Sequence, residues 1–246
     1  MLQLLAFDLD GTLVQTEALK AISYGWAAKQ LRPDLDAHEV EEAYGFLVGH
    51  SRETISRTFL DQFGLGEAAR QRDAAEEPWR TYVGVRLERY RAMLADGDLV
   101  RSNTWPRAVA LLKQTRSLAE HVALVTTSER WAADAILSAL GLAEVFDTIV
   151  TADDVSVVKP DPTGYRIALD RLAVQASKGD ALALEDSPSG VRAAQAAGLD
   201  VIAIPTRYTR DPIGAMVRTG ELDAGAVVSP DRLAAAVRTW NGRLAA

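Results

Sequence analysis

The chain contains no cysteine, which at once removes disulfides, thiolate metal sites and cysteine nucleophiles. Histidine is scarce too: there are three, His38, His50 and His121, and none sits in a pattern that invites catalysis. Basic residues are in the minority, 27 Lys and Arg against 34 Asp and Glu, for a net charge of −7. Neither nucleic acid nor an anionic membrane is therefore an expected partner. No uninterrupted apolar run approaches the ~18 residues that would suggest a membrane span. The start shows no basic stretch followed by an apolar run and a cleavage site, so a cytoplasmic location is expected. Repeats, low-complexity tracts and Gly/Ser linkers are missing. What remains is ordinary globular composition: 246 residues, 48% hydrophobic and 25% charged, enough for one large or two modest domains with a real core.

The most informative stretch comes first. Leu2, Leu4, Leu5 and Phe7 form an apolar strand that runs into Asp8-Leu9-Asp10-Gly11-Thr12. Alternation along an extended chain sends Asp8 and Asp10 to opposite sides. Gly11 lets the backbone turn, so that both carboxylates can reach one crevice. Two carboxylates at the carboxyl end of a strand suit a bound cation, a nucleophile and an acid/base.

Residues 16–95 read as helical. Thr16 is placed to cap a helix through Trp26 to Gln30, and Ser51 to cap another with Ile55, Phe59 and Phe63 on its apolar face. Pro78 breaks or starts a helix within the charged segment from Glu67 to Leu94. From about Asp96 the texture changes. His121–Val125, Phe146–Val150, Ala181–Leu184 and Val201–Ile204 are short, apolar and partly β-branched, each between helical segments, as in βαβ units of a mainly parallel sheet. A weaker strand is expected at Ala226–Val228, before a final helix near Asp231–Trp240. Strand Leu2–Phe7 finds neighbours only in this second region. The expected fold class is α/β, with a core domain of residues 1–15 and 96–246 interrupted by a helical insertion, residues 16–95.

In an open parallel sheet, ligands bind beyond the carboxyl ends of the strands. Four such ends carry useful residues. Asp8 and Asp10 follow the first strand. Thr126-Thr127-Ser128 follows the second, where a hydroxyl and helix amides can hold an anion. Ser128 is also placed to cap a helix through Ala132 and Ile136 that Gly141 ends. Lys159 stands after the third strand, before a helix with Asp161 at its cap and Pro162 in its first turn. Glu185-Asp186 ends the fourth, followed by Ser187-Pro188 as another cap and first turn. Each station has a plainer reading as a helix cap, a solvated lysine, acidic charge at a helix start or a turn. Their co-location in one sheet favours a shared site. Like charges at ~4 Å repel by on the order of 4 kcal/mol per pair near a surface. A cluster of Asp8, Asp10, Glu185 and Asp186 thus needs a cation, protons or both. All-oxygen ligands favour Mg2+ over zinc or copper. An anionic phosphate suits an aspartate nucleophile screened by that ion and Lys159 better than a neutral ester does.

Together, Asp8-Leu9-Asp10-Gly11-Thr12, Thr126, Lys159 and Glu185-Asp186 resemble the four motifs of the haloacid dehalogenase (HAD) superfamily, over a span from residue 4 to about 210. The resemblance implies a Rossmann-like core with an inserted helical cap. It implies that Asp8 is a nucleophile that becomes an aspartyl phosphate, and that Asp10 protonates the leaving oxygen and then activates water. Thr126 would hydrogen-bond the phosphoryl group and Lys159 would neutralise its charge. Mg2+ would be held by Asp8, the Asp10 carbonyl and Asp186, with Glu185 a direct or more remote partner. Thr16-Glu17, Gly49-His50-Ser51-Arg52 and Leu184-Glu185-Asp186-Ser187-Pro188 resemble the group containing β-phosphoglucomutase and sugar-phosphate phosphatases. Met93-Leu94-Ala95-Asp96-Gly97 and Tyr208-Thr209-Arg210 are similar to CbbY-type sugar-bisphosphate phosphatases. On this resemblance Gly49, Ser51, Arg52, Thr127 and Ser128 are expected substrate contacts, with Ser51-Arg52 on the non-reacting part, such as a second phosphate. The plainer alternative is that Ser51 caps a helix and Arg52 is solvated.

Departures from the pattern bear on the reaction. Lys20 stands where mutases of this group carry a histidine, and Thr12 where they carry another residue; both favour hydrolysis. Asp10 argues against dehalogenation, because the dehalogenases lack it. Thr127 replaces a frequent Asn, and Ser102-Asn103-Thr104-Trp105 replaces a usual Pro-Gly turn. The expected activity is that of a Mg2+-dependent phosphatase acting on a small phosphorylated metabolite, a sugar phosphate or bisphosphate. Oligomeric state stays open and is compatible with a monomer. One alternative is a β-phosphoglucomutase-like phosphomutase. Another, from a different class, is a non-catalytic Mg2+-binding phospho-acceptor resembling a response-regulator receiver.

Overall fold

The computed structural model describes residues 1–175 and 179–243. The chain divides into two compact units, Met1–Gln15 with Gly97–Ala246, and Thr16–Asp96. In chain order, β1 (Leu2–Phe7) opens the first unit. The second consists of α1 (Thr16–Leu31), α2 (Ala37–Gly45), α3 (Arg52–Gln62), α4 (Gly66–Arg72) and α5 (Pro78–Ala95). The first then resumes with α6 (Gly97–Ser102), α7 (Pro106–Leu112), β2 (Ala119–Val125), α8 (Arg130–Leu140), β3 (Thr148–Val150) and α9 (Thr163–Arg171). It closes with β4 (Ala181–Glu185), α10 (Pro188–Ala196), β5 (Asp200–Ala203), α11 (Arg210–Arg218) and α12 (Leu233–Arg243).

The five strands form one parallel sheet in the order β3-β2-β1-β4-β5, a Rossmann-like α/β arrangement. The first strand in sequence is thus the central one. Its register pairs Phe7 with Leu124 on one side and with Leu184 on the other. Asp8, just past β1, is therefore level with Val125 and Glu185, the last residues of β2 and β4. Leu4, Ala6, Ala123, Val125, Ala181 and Ala183 form one face, packed with Tyr165, Ala168, Val191, Ala194, Ile213 and Met216 of α9, α10 and α11. Alternation turns Leu5, Phe7, Val122, Leu124, Leu182 and Leu184 the other way, and these are buried as well. A sheet covered on both faces explains why its strands read as nearly unbroken apolar runs.

Several sequence expectations shift. Ala226–Val228 is not a strand: Ala224–Ala226 is a short 3-10 turn, and a single bridge joins Val227 to Ala203. The Asp223 side chain accepts the Gly225 amide, at 2.6 Å, and this turn leaves too little extended chain to pair further. The strand expected from Phe146 is confined to Thr148–Val150. Pro162, not Asp161, occupies the cap of α9, although Asp161 Oδ1 still accepts the Thr163 amide at 2.9 Å. Ser128 does not cap α8, whose cap position is Glu129. Gly141 does end that helix, at φ +64° in the left-handed region where a side chain is disfavoured.

The helical unit has its own core. Ser51 caps α3 by accepting the Thr54 amide at 3.1 Å, and Pro78 opens α5 at a position needing no amide donor. Tyr24 is the hub. Its ring lies 5.3 Å from Tyr44, 5.5 Å from Phe59 and 5.9 Å from Tyr82, and its carbonyl accepts the Tyr82 hydroxyl at 2.8 Å. Buried Arg86 donates to Ser23 Oγ at 2.8 Å while its guanidinium lies 4.9 Å from the Tyr24 ring and 4.5 Å from the Tyr90 ring. Such cation–π contacts offset part of the cost of burying the charge. Among the described residues, no helix is long and apolar enough to cross a membrane.

Phe59 is fully buried against Tyr24 and Phe63. Phe59→Ala is expected to destabilise the helical unit by about 3–5 kcal/mol, the range for emptying a large aromatic site. Asp36→Ala, which removes a side-chain cap on α2, should cost about 1 kcal/mol. Urea unfolding followed by far-UV circular dichroism measures both.

Candidate active site

The site is assembled at the carboxyl ends of β1, β2 and β4 with the loop that follows β3. Asp8 is buried and its amide donates to Leu184 O at 3.0 Å, which anchors the residue to β4 as the strand ends. The chain then curls tightly: Leu13 and Val14 donate back to Leu9 O, and Gly11 N donates to Val14 O at 2.7 Å. Gly11 adopts φ +81°, and a Cβ built on it would stand 2.2 Å from Asp186 Oδ2. Only glycine serves there, both for the left-handed backbone and for the close approach of that carboxylate. Trp105 Nε1 donates to Gly11 O at 2.8 Å and ties the curl to the start of α7.

Two sets of contacts diverge from the two aspartates. Asp8 Oδ1 accepts Lys159 Nζ at 2.7 Å, and the same ammonium reaches Glu185 Oε1 at 2.6 Å and Val125 O at 2.7 Å. Asp10 faces the loop after β2: its Oδ2 accepts Ser128 Oγ at 2.6 Å and lies 3.4 Å from Thr126 Oγ1. Thr126 Oγ1 in turn accepts the Ser128 amide at 3.0 Å. The glycine turn thus separates a lysine-bound carboxylate from a hydroxyl-bound one.

Asp8, Glu185 and Asp186 each offer one oxygen within 4.8 Å of the others, and all three are buried. This all-oxygen set can hold a divalent cation. The Asp10 carboxylate lies outside it; the resemblance assigns Asp10 to a metal through its carbonyl. Burial pushes Asp8 up to about 8, with Lys159 drawing it down while Glu185 and Asp10 push it further up. Burial opposes the charge on Lys159, but Asp8 and Glu185 outweigh it and the ammonium stays strongly held above its ordinary pKa. Glu185 is fully buried, and its Oε2 has no hydrogen-bond partner among the described residues. Carboxylates this close without solvent call for either a cation or a shared proton.

Asp8, Asp10, Thr126, Ser128, Lys159, Glu185 and Asp186 are thus brought together within the first unit. Thr127 is exposed beside Thr126. Ser128, expected to cap a helix or touch substrate, spends its hydroxyl on Asp10. Gly49, Ser51 and Arg52 belong to the helical unit: Gly49 lies in the loop before α3 at φ +95°, Ser51 caps that helix and Arg52 is its first residue. Tyr165 went unnoticed in the sequence. Fully buried on α9, it donates its hydroxyl to Glu185 Oε1 at 2.6 Å, and burial with nearby carboxylates holds the phenol protonated. The available signal was a tyrosine on an apolar helix face, since a buried phenol needs a polar partner.

A match to haloacid dehalogenase-like hydrolases spans residues 2–198. Phosphoglycolate phosphatase from Rhodospirillum rubrum is 33% identical over 215 residues, covering 85% of this chain and 82% of that protein. Protein CbbY from Cereibacter sphaeroides is likewise 33% identical over 215 residues, covering 85% of this chain and 87% of its own. A crystal structure of a CbbY variant from Rhodobacter sphaeroides in complex with xylulose-(1,5)bisphosphate has a TM-score of 0.65 at 30% identity, covering 86% of this chain and 89% of that one. The chain belongs to the haloacid dehalogenase-like hydrolase family.

Proposed function

We propose that this hydrolase is a Mg2+-dependent phosphatase that cleaves a small phosphorylated metabolite, a sugar phosphate or bisphosphate, through an aspartyl-phosphate intermediate. The observation that carries the reading is the division of labour between Asp8, held through Oδ1 by Lys159, and Asp10, held by Ser128. A relative named phosphoglycolate phosphatase and a structural neighbour bound to xylulose-(1,5)bisphosphate support a small phosphorylated substrate. The buried oxygen set of Asp8, Glu185 and Asp186 suits Mg2+, as does the unpartnered Glu185 Oε2. When bound, the ion would supply positive charge to offset that of the carboxylates and the phosphoryl group.

The residues then have separate tasks. Lys159 occupies Asp8 Oδ1, so Oδ2 is the oxygen to attack phosphorus as the ester P–O bond breaks. Asp10, protonated, gives its proton to the departing alkoxide. In the second step the Asp10 carboxylate takes a proton from water, whose oxygen attacks the phosphorus of the aspartyl phosphate. Inorganic phosphate leaves and Asp8 is regenerated. Thr126 and Lys159 stabilise charge on the transferring group, the main requirement of phosphoryl transfer. Lys20, where mutases of the group carry a histidine, pairs with Glu17 at 2.8 Å, which favours water as the acceptor. In this reading the helical unit, with Gly49, Ser51 and Arg52, is the cap that selects the substrate, and the enzyme works in the cytoplasm.

A phosphate-release screen over phosphoglycolate, sugar phosphates and sugar bisphosphates, with Mg2+ and with a chelator, tests the assignment. Release from at least one compound only when Mg2+ is present is the expected result; no release from any compound refutes it. Asp8→Asn should lower kcat by at least about 10³-fold, as loss of a nucleophile does, with the fold retained by circular dichroism. Full turnover in that variant rules out the covalent route. Mg2+ at 100 times its dissociation constant should stabilise the wild type by about 2.7 kcal/mol. Asp186→Asn should abolish most of that gain, as read by thermal unfolding.

A further inference from the structure

Tyr165 takes no part in the steps above, yet it touches two of the groups that perform them. Its hydroxyl donates to Glu185 Oε1, and Lys159 Nζ lies 5.1 Å from the centre of its ring. A lysine ammonium has three N–H donors. Here all are engaged, by Asp8 Oδ1, Val125 O and Glu185 Oε1. The lysine has nothing further to give Glu185 without loosening its hold on Asp8, so the second donor to Oε1 must come from elsewhere. Tyr165 supplies it. From another direction Gly190 lies against the same carboxylate, and a Cβ built there would stand 1.9 Å from Oε2. Glu185 is therefore confined between a phenol and a bare Cα, with Oε1 bonded to two donors and Oε2 to none. That carboxylate also contributes an oxygen to the cluster with Asp8 and Asp186.

We propose that Tyr165 is a positioning residue of this site: its hydroxyl fixes the orientation of Glu185, and through it the affinity of the acidic cluster for a divalent cation. The ring face below the ammonium adds a cation–π contact that a phenylalanine would retain. The proposal rests on the phosphatase reading of the site.

Tyr165→Phe keeps the ring and removes only the hydroxyl. The test is calorimetric titration of the full-length wild type and variant with Mg2+ alone, with phosphate release and Mg2+-free melting measured in parallel. The Mg2+ dissociation constant is expected to rise about 10-fold in Y165F, the usual effect of removing a group that orients a metal ligand, with little change in the melting temperature of the Mg2+-free protein. In a Glu185→Gln background the same substitution should change Mg2+ affinity less than about twofold, because the tyrosine acts through that carboxylate. Mg2+ affinity unchanged in Y165F, or a loss of full size that persists alongside E185Q, overturns the proposal. A wild type that binds no Mg2+ and releases no phosphate overturns the phosphatase reading itself. A wild type that does both, with a Y165F variant that binds Mg2+ equally well, overturns the role of Tyr165 alone.

Discussion

One buried ammonium holds together carboxylates that would otherwise repel. Lys159 bridges Asp8 and Glu185 at 2.7 and 2.6 Å with almost no contact with solvent. Burying such charges costs several kcal/mol per ion, and their mutual attraction repays this only when the remaining polar atoms find partners. The third lysine donor on Val125 O and the Tyr165 hydroxyl on Glu185 meet that condition in part. The excess of negative charge that remains calls for a cation or a shared proton.

Topology makes this crowding possible. The aspartates near residue 8 and the acidic pair at 185–186 are far apart in sequence but adjacent in space, because β1 lies between β2 and β4 in a parallel sheet. Parallel pairing aligns the carboxyl ends of all three strands. A register shift of one residue would turn every core side chain on β1 to the opposite face, so the same packing that stabilises the sheet also sets the site to within a residue. Close approach supplies the rest. Among the described glycines, Gly11 lies against Asp186 and Gly190 against Glu185, and a methyl group at either would displace the carboxylate.

The helical unit follows a different logic. Its stability comes from aromatic stacking around Tyr24 and from a buried arginine between ring faces. None of this depends on the sheet. Glu17, Lys20 and Tyr44 form a further polar cluster within it, in which Glu17 accepts both the lysine and the tyrosine hydroxyl. A unit with its own core can vary its surface without disturbing the packing of the sheet.

Much of this was legible beforehand. The strands β1, β2, β4 and β5 showed as short apolar runs, Pro78 and Ser51 marked helix starts, and the acidic, hydroxyl and ammonium residues stood at strand ends, where a parallel sheet binds its ligands. Local rules sufficed for these, because apolar periodicity and capping act over a few residues. They misjudged Ala226–Val228, where a side-chain turn at Asp223 overrode a weak apolar run, and Ser128, where a tertiary bond to Asp10 displaced a local cap. Composition and pattern by themselves determined an α/β chain without thiol chemistry and a set of acidic residues that, once clustered, need a cation, protons or both. Only tertiary structure decided which oxygens of Asp8, Asp10 and Glu185 are bound, that Asp10 answers to Ser128 while Asp8 answers to Lys159, and that Tyr165 donates to Glu185. The reason is physical: hydrogen bonds are specified to a few tenths of an ångström between residues up to 151 positions apart, and no spacing along the chain encodes that distance.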